Sequence, residues 1–421
     1  MKVLVLGSGG REHALTHFIS RDPAVTEVHA APGNPGIELN ADIHPLDDIT
    51  DSDAVVKLAK KLDIDLVVIG PEGPLVAGVS DALREAGIVC FGPSAAAAQL
   101  EGSKAFAKEV MEAAGVPTAA SRTCHSLDEV KAAMEEFGAP YVIKEDGLAN
   151  GKGVLVTSDE SAALAHAEGR DTVVVEEFLD GPEVSLFAVT DGSRVLSFPP
   201  AQDFKRVGDG DTGPNTGGMG AYTPLPWAPK DLVETVESTI IAPTLAEMAK
   251  RDAEFRGLLY VGLALTAEGP KVIEFNARFG DPETQAVLTL NATPLAQLLS
   301  AAAQGDLSEY SELEQYPGAA VAVVMASEGY PAEPNIGSRI AENQFASGSV
   351  KVFHSGTARD DEGRLVSASG RVMCAVGRGS SLKFARNMVY ATLRSFWLTN
   401  LFWRHDIAEK AVLGQIEVPS K

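Results

Sequence analysis

Short apolar runs separated by helix-period patterns fill the first hundred residues. Lys2 to Leu6 is an apolar run ending in glycines, and Arg11 to Ser20 follows with helical spacing. Val25 to Ala31 predicts a second strand, Ala54 to Lys61 a helix, and Leu66 to Ile69 a continuously apolar strand ending in Gly70-Pro71-Glu72-Gly73. Val76 to Ala86 predicts another helix, and Ile88 to Phe91 a fourth strand. Short strands without polar alternation are buried on both faces. The pattern therefore predicts a parallel α/β sheet with ligands at the carboxyl ends of its strands.

The pattern changes at Ser103. Lys104 to Ala114 predicts a helix stopped by Gly115 and Pro117, Asp128 to Phe137 a second helix, and Tyr141 to Lys144 a strand entering a glycine-rich loop. Val173 to Phe178, Val184 to Val189 and Val195 to Phe198 read as antiparallel strands, and Gly208 to Gly220 as a long loop of the functional kind. A long helix, Lys230 to Lys250, precedes strands at Leu258 to Thr266 and Lys271 to Phe275, then a helix around Leu295 to Ala303. Strands at Ala319 to Ala326, Val350 to Phe353 and Arg371 to Val376, with a helix at Leu382 to Ser395, predict a β-rich end. The expected division is a parallel α/β domain over 1–102, a middle region over 103–315 with a small flap subdomain at about 118–178, and an α+β domain over 316–421.

Charge narrows the function classes. The 421 residues carry 35 Lys and Arg against 58 Asp and Glu, a net charge of −23. So acidic a chain lacks the basic face that nucleic acid or an acidic membrane demands, yet one local cluster of N–H groups and cations suffices for a small phosphorylated substrate. Three scattered cysteines, Cys90, Cys124 and Cys374, suit a reducing compartment. No apolar stretch reaches the roughly 18 residues of a membrane span. The expectation is a cytoplasmic monomer.

Gly7-Ser8-Gly9-Gly10-Arg11-Glu12 follows a strand and opens a helix, a setting for an anion at a helix N-terminus. A dinucleotide reading fails twice. The third glycine of the fingerprint would fall at Glu12, and the second strand ends in Ala30-Ala31-Pro32 with no acid for a ribose. The second loop, Lys144 to Gly153, is not a Walker loop, because Lys152 is followed by Gly153. A strand–glycine loop–strand flap with flanking Lys144 and Lys152 instead suits a triphosphate lying beneath Gly147, Gly151 and Gly153. Glu176-Glu177-Phe178-Leu179, then Gly181-Pro182-Glu183, closes a strand with a hinge whose backbone can pair with an adenine edge, and Glu183 can accept from ribose hydroxyls. Strand alternation places Glu274, Asn276 and Arg278 on one face. The carboxylate and the amide oxygen are hard ligands suited to Mg²⁺, and Arg278 beside them suits an acyl or phosphoryl oxygen.

Lysine strand, glycine flap, hinge and ExN strand, in that order, resemble the ATP-grasp ligases. Within that superfamily GSGGREHAL, GPEGPLVAG, DGLANGKGV, GPNTGGMGAY and FNARFGDPETQ are similar to the glycinamide ribonucleotide synthetase (phosphoribosylamine–glycine ligase) family, and the likeness runs to a final WRHDIA. The resemblance implies a multidomain ATP-grasp fold and a reaction in which ATP, glycine and 5-phosphoribosylamine become ADP, phosphate and glycinamide ribonucleotide through glycyl phosphate. It implies Mg²⁺, with Mn²⁺ as an alternative, held by Glu274 and Asn276. It further implies Lys104 and Lys144 on ATP phosphates, Glu176, Phe178 and Leu179 around adenine, and Glu183 on ribose. Arg278 and Asp281 would be catalytic, with Asn215, Thr216, Gly217, Gly218 and Met219 forming the pocket for glycine and phosphoribosylamine. Gly9 and Gly10 would lie near the ribose phosphate, and Asp203 and Lys205 would add loop contacts. The flap departs from the usual family pattern at Asn150, and the last domain is the least similar. Another ATP-grasp ligase or carboxylase acting on a different acid is the nearest alternative.

Overall fold

The computed structural model describes residues 1–148, 153–342 and 349–420. The N-terminal apolar runs form a five-stranded, all-parallel sheet in the order Asp42–Ile43, Glu27–Pro32, Lys2–Gly7, Leu66–Ile69, Val89–Phe91. Val3, Leu4, Val5 and Leu6 have no exposed surface, as the unbroken apolar run requires. The order reverses at Lys2–Gly7, so the loops after Gly7 and Ile69 meet over a crevice at the carboxyl ends. The sheet has five strands where periodicity gives four, because Asp42–Ile43 is too short to carry a pattern. The predicted helix over Val76 to Ala86 is two, Glu72–Val76 and Val79–Glu85, broken at Gly78 with φ +86°.

Two sheets face each other across the middle of the chain. The larger runs Val195–Ser197, Glu183–Thr190, Gly257–Thr266, Gly269–Asn276, all antiparallel. The smaller runs Ser121–Cys124, Val173–Glu176, Tyr141–Glu145, Val154–Thr157 and is backed by helices Leu127–Phe137 and Glu160–Ala167. Its own small core joins Cys124, Val130, Met134, Ile143, Ala163 and Val175. The larger sheet shares its core with the N-terminal sheet, Val3, Val5 and Val68 packing with Phe187, Leu258 and Phe279.

Two expectations need correction. Gly208 to Gly220 is not one long loop: Arg206–Gly208 pairs antiparallel with Thr212–Asn215 around a turn in which Gly210 and Asp211 adopt positive φ. The helix over Lys230 to Lys250 is interrupted. Leu232–Val236 passes through a π turn at Glu237–Ile241 into Ala242–Lys250, because Pro243 has no N–H to continue the ladder.

The last sheet is assembled from distant parts. Its order is Gln202–Asp203, Gly220–Thr223, Ala319–Ser327, Arg371–Gly379, Val350–His354, with Leu401–Phe402 also on Ala319–Ser327. Helix Leu382–Ser395 covers it. Two of its strands come from residues 202–223, which ties the segment between them to the C-terminal region. Among the described residues no helix is long and apolar enough to cross a membrane.

Candidate active site

The three regions converge on a cleft of about 1120 Å³. Lys104, Lys144, Gly147, Gly153, Glu176, Phe178, Leu179 and Glu183 all line it, as do Gly9, Asp203, Lys205, Asn215, Thr216, Gly217, Glu274, Asn276, Arg278 and Asp281. Three sequence expectations fall off its surface. Met219 is fully buried, its amide bound to the Phe204 carbonyl, and neither Gly10 nor Gly218 lines the cleft. A glycine-rich run gives no clue to which of its residues turn inward. Gly151 and Lys152, with Asn150, lie outside the described residues.

One end is cationic. On the paired strands Tyr141–Glu145 and Val173–Glu176, Lys144 stands opposite Val174 and two residues along from Glu176, whose carboxylate it reaches on the same face, and helix Lys104–Ala114 brings Lys108 to that carboxylate. Lys144 Nζ lies 2.7 Å and Lys108 Nζ 2.9 Å from the two Glu176 oxygens. Lys144 also donates to the Ile273 carbonyl at 2.7 Å. That carbonyl sits at a β-bulge, since Glu274 pairs with Gly262 while Val272 pairs with Leu263, leaving Ile273 between them. Lys104 Nζ donates to Gly147 O at 2.8 Å, and the amides of Lys104 and Ala105 donate to Asp146 at 2.6 and 3.2 Å. Asp146 thus caps the helix and ties it to the base of the flap. Burial lowers the pKa of both Lys104 and Lys108; Glu274 pulls back on the first and Glu176 on the second. The Glu176 carboxylate therefore holds two lysines in place, which leaves its backbone, not its side chain, to face a base.

Residues 177–182 leave the sheet as an open hinge with Phe178 half exposed. Gly181 has φ +147°, and a Cβ there would run into the Leu265 carbonyl, so the hinge passes against Gly257–Thr266 with no room for a side chain.

The middle of the cleft is acidic around one lysine. Lys205 Nζ lies 2.9 Å from Glu183 and 3.8 Å from Glu274, with Asp203 and Glu283 in the same field. Burial foremost, then repulsion from Glu283, Glu183 and Glu274 against the pull of Lys205, pushes Asp203 up to about 8. Burial opposes the charge on Glu274, but Lys205, Lys144, Arg278 and Lys104 outweigh it and keep its pKa low. Tyr260 joins this wall, and behind it the buried Ser185 Oγ lies 2.8 Å from the Tyr260 hydroxyl and donates to Glu283 at 3.4 Å. Glu283 is a carboxylate that the strand pattern did not single out. The alternation reading holds in part: Glu274 and Asn276 end the strand, and Arg278 lies beyond it in a bend while still facing the cleft.

The far end is a three-way junction. Arg278 is gripped by two N-terminal carboxylates, Glu72 at 3.1 Å and Glu101 at 2.7 Å. Burial works against the Glu72 charge, but Arg278 and Arg11 overcome it and hold its pKa at about 2. Arg11 contacts Glu12 at 2.5 Å and donates to the Phe279 carbonyl at 3.0 Å. Asp281 accepts from the Arg11 amide at 3.1 Å and from Gln285 at 2.8 Å. From the C-terminal region, Arg371 Nη1 donates to the carbonyls of Asp281 at 2.6 Å and Gly217 at 2.7 Å. Glu72, Glu101, Lys108, Glu283 and Arg371 were not singled out in the sequence as site residues. Only Lys108 left a signal there, one helical turn from Lys104. The segment Gln415 to Pro419 also borders the cleft, beside Lys410.

The donor chemistry fits a hard divalent cation: the Glu274 carboxylate and the Asn276 amide face the cleft among further carboxylates. Among the described residues no three His, Cys, Asp or Glu side chains form a ready-made metal cage. That suits Mg²⁺, which takes one or two protein oxygens and leaves its other positions to water and phosphate.

Family models match nearly the whole chain: the phosphoribosylglycinamide synthetase N domain over residues 1–101, its ATP-grasp (A) domain over 102–284 and its C domain over 320–410. The chain is 56% identical over 415 residues to the phosphoribosylamine–glycine ligase of Streptomyces coelicolor, covering 98% of this chain and 99% of that one. It is 52% identical to the ligase of the same name from Mycobacterium leprae, covering 99% and 100%. The crystal structure of the Thermotoga maritima phosphoribosylamine–glycine ligase superposes with a TM-score of 0.84 at 33% identity, covering 97% of this chain and all of that one. The Campylobacter jejuni biotin carboxylase shares the fold at a TM-score of 0.74 and 15% identity, covering 95% and 92%.

Proposed function

The chain belongs to the phosphoribosylglycinamide synthetase family, and we propose that it is an ATP-dependent ligase joining glycine to 5-phosphoribosylamine in purine biosynthesis, with glycinamide ribonucleotide, ADP and phosphate as products. One observation carries the reading. A single cleft sets Lys104, Lys108 and Lys144 at one end, Glu274 and Asn276 in the middle, and a junction built from all three regions at the other.

A carboxylate is a poor electrophile, so glycine is first converted to glycyl phosphate, whose carbonyl the amine attacks as phosphate departs. Lys104 and Lys144 neutralise the phosphates of ATP beneath the flap, with Glu176 fixing the position of Lys144. The backbone of Phe178 and Leu179 faces the adenine edge, and Glu183 accepts from the ribose. Glu274 and Asn276 hold Mg²⁺ or Mn²⁺, which when bound supplies positive charge to the transferred phosphoryl group. Arg278, oriented by Glu72 and Glu101, faces the acyl oxygen. Asp281, Asn215, Thr216 and Gly217 shape the pocket for the two smaller substrates, and Gly9 lies on the ribose phosphate side. Glycyl phosphate is hydrolysed by water, so a closed flap also protects it.

ADP release should require glycine and phosphoribosylamine together, the latter made in the assay from ribose 5-phosphate and ammonia. Glu274→Gln should lower kcat by about a hundredfold or more with the thermal melt unchanged. Equal turnover with another acid, or ADP release driven by bicarbonate alone, would replace this reading with that of a different ATP-grasp enzyme.

A further inference from the structure

Away from the cleft, a second cavity of about 420 Å³ lies where all three regions meet on another face of the protein. Its wall combines Phe18, Arg21 and Asp22 from the N-terminal domain, Thr289 and residues 291–295 from the middle region, and Lys351 and Arg378 from the C-terminal sheet. Three cations thus face one space in a chain whose net charge is −23.

The acid in that wall does not answer them. Asp22 accepts from the Gln297 amide at 3.0 Å, from Gln297 Nε2 at 2.9 Å and from the Ala24 amide at 2.9 Å, so its carboxylate serves the start of helix Leu295–Gln304. Among the described residues, none of Arg21, Lys351 and Arg378 has a carboxylate within ion-pair distance; all 29 described ion pairs lie elsewhere. Lys351 instead lies over the Phe18 ring at 4.6 Å and Arg378 over the Tyr316 ring at 4.6 Å. Those contacts hold the cations in place without cancelling their charge. Burial, with repulsion from Arg21 and Arg378, brings the Lys351 pKa down to about 8. Three like charges with no carboxylate in ion-pair contact, beside one acid already engaged by backbone and amide donors, bear a repulsion that a bound anion relieves.

From this arrangement we infer that the cavity is a second anion site, shaped for a dianionic phosphate group held by Arg21, Lys351 and Arg378. Two guanidiniums offer paired N–H donors and the lysine a point charge, a combination matched to three phosphate oxygens. The volume falls within the range of small-molecule sites, roughly 300–1000 Å³. It therefore has room beyond the phosphate for an organic body against Pro23, Pro294 and Val376. Inorganic phosphate and a phosphomonoester share the recognised chemistry and differ in that body.

The test uses the full chain. Isothermal titration with inorganic phosphate and with ribose 5-phosphate is run on the wild type and on Lys351→Gln/Arg378→Gln. Tungstate is also soaked into crystals, where its anomalous signal locates the site. Neither substituted residue lines the cleft, so ligase kcat and KM without added anion should stay within about twofold. The wild type should show one more phosphate-binding site than the variant, with tungstate seated among the three cations. Affinity at that site should fall about tenfold or more. Tighter binding of ribose 5-phosphate than of inorganic phosphate assigns the site to a phosphomonoester, and equal binding assigns it to phosphate itself. Identical isotherms in the two proteins, or tungstate in the cleft alone, overturn the proposal. Arg21→Gln, at an exposed position, gives the same comparison if the double variant fails to fold.

Discussion

Acid should loosen the seam between the N-terminal and C-terminal regions. His13, on helix Gly10–Ile19, accepts the His354 amide through Nδ1 at 2.7 Å, and Asn34 Nδ2 donates to the His354 carbonyl at 3.1 Å. His354 Nδ1 lies 3.1 Å from Thr357 Oγ1, and Glu342 and Arg359 act on its charge. A proton on His13 Nδ1 would set one N–H against another. Burial first, with the neighbouring histidines adding to it, keeps His13 neutral. Burial, assisted by Arg359 and opposed by Glu342, lowers His354 from 6.5 to about 4. Both folded pKa values are depressed, so the unfolded chain binds more protons in this window. Stability is full above about pH 6.5 and is lost as pH falls toward 4. The interval for His354 alone corresponds to about 3 kcal/mol. Hydrogen exchange at the seam amides, including that of His354, should be followed from about pH 7 to pH 4.5 in the wild type and in His354→Asn. The substituted amide can still meet Thr357 but does not titrate. Once intrinsic exchange rates are removed, the wild type should lose about 2 kcal/mol or more relative to the variant across that range. Parallel curves would refute the reasoning.

Three further outcomes are expected. Glu176→Gln strips the counter-charge from two buried lysines and should destabilise the protein by about 3 kcal/mol or more in urea titrations, with part recovered in Glu176→Gln/Lys108→Met. Arg371→Lys keeps the charge but withdraws the guanidinium nitrogen Nη1 that donates to both Gly217 and Asp281, and steady-state kinetics should show KM for phosphoribosylamine raised about tenfold with KM for ATP nearly unchanged. Gly181→Ala forces the hinge off the Leu265 carbonyl, so KM for ATP should rise and the thermal midpoint should fall by several degrees.

Local periodicity carried most of the elements. Helix Lys104–Ala114, strand Leu66–Ile69 and helix Leu382–Ser395 appear with the bounds their patterns predict, because each has a clear apolar period and a clear stop. Helix Ala95–Gly102 was missed, since a run of alanines has no stripe to read. The recruitment of Gln202–Asp203 and Gly220–Thr223 into the C-terminal sheet was illegible for another reason: pairing across a hundred residues leaves no local mark. The site divides the same way. Lys144, Glu274 and Asn276 stand out because polar groups interrupt apolar strands. Glu72 meets Arg278 across 206 residues, and Arg371 meets Asp281 across 90, so their partners exist only once the chain has folded.

Asp281 is fastened at once to the Arg11 amide, to Gln285 and to Arg371, which rivets three parts of the molecule into one anvil. The small sheet over Ser121–Glu176 has a core of its own and meets that anvil through polar links such as Lys144 on Ile273 O and Asp146 on the Lys104 helix. An opening of the cleft on this side would break the polar links and spare the rivets, with the small sheet moving as one paddle through water. Drag on that paddle would then set the tempo. Where that swing limits turnover, kcat should fall in inverse proportion to the viscosity of added sucrose, and a crowding polymer too large to enter the cleft should leave it unchanged.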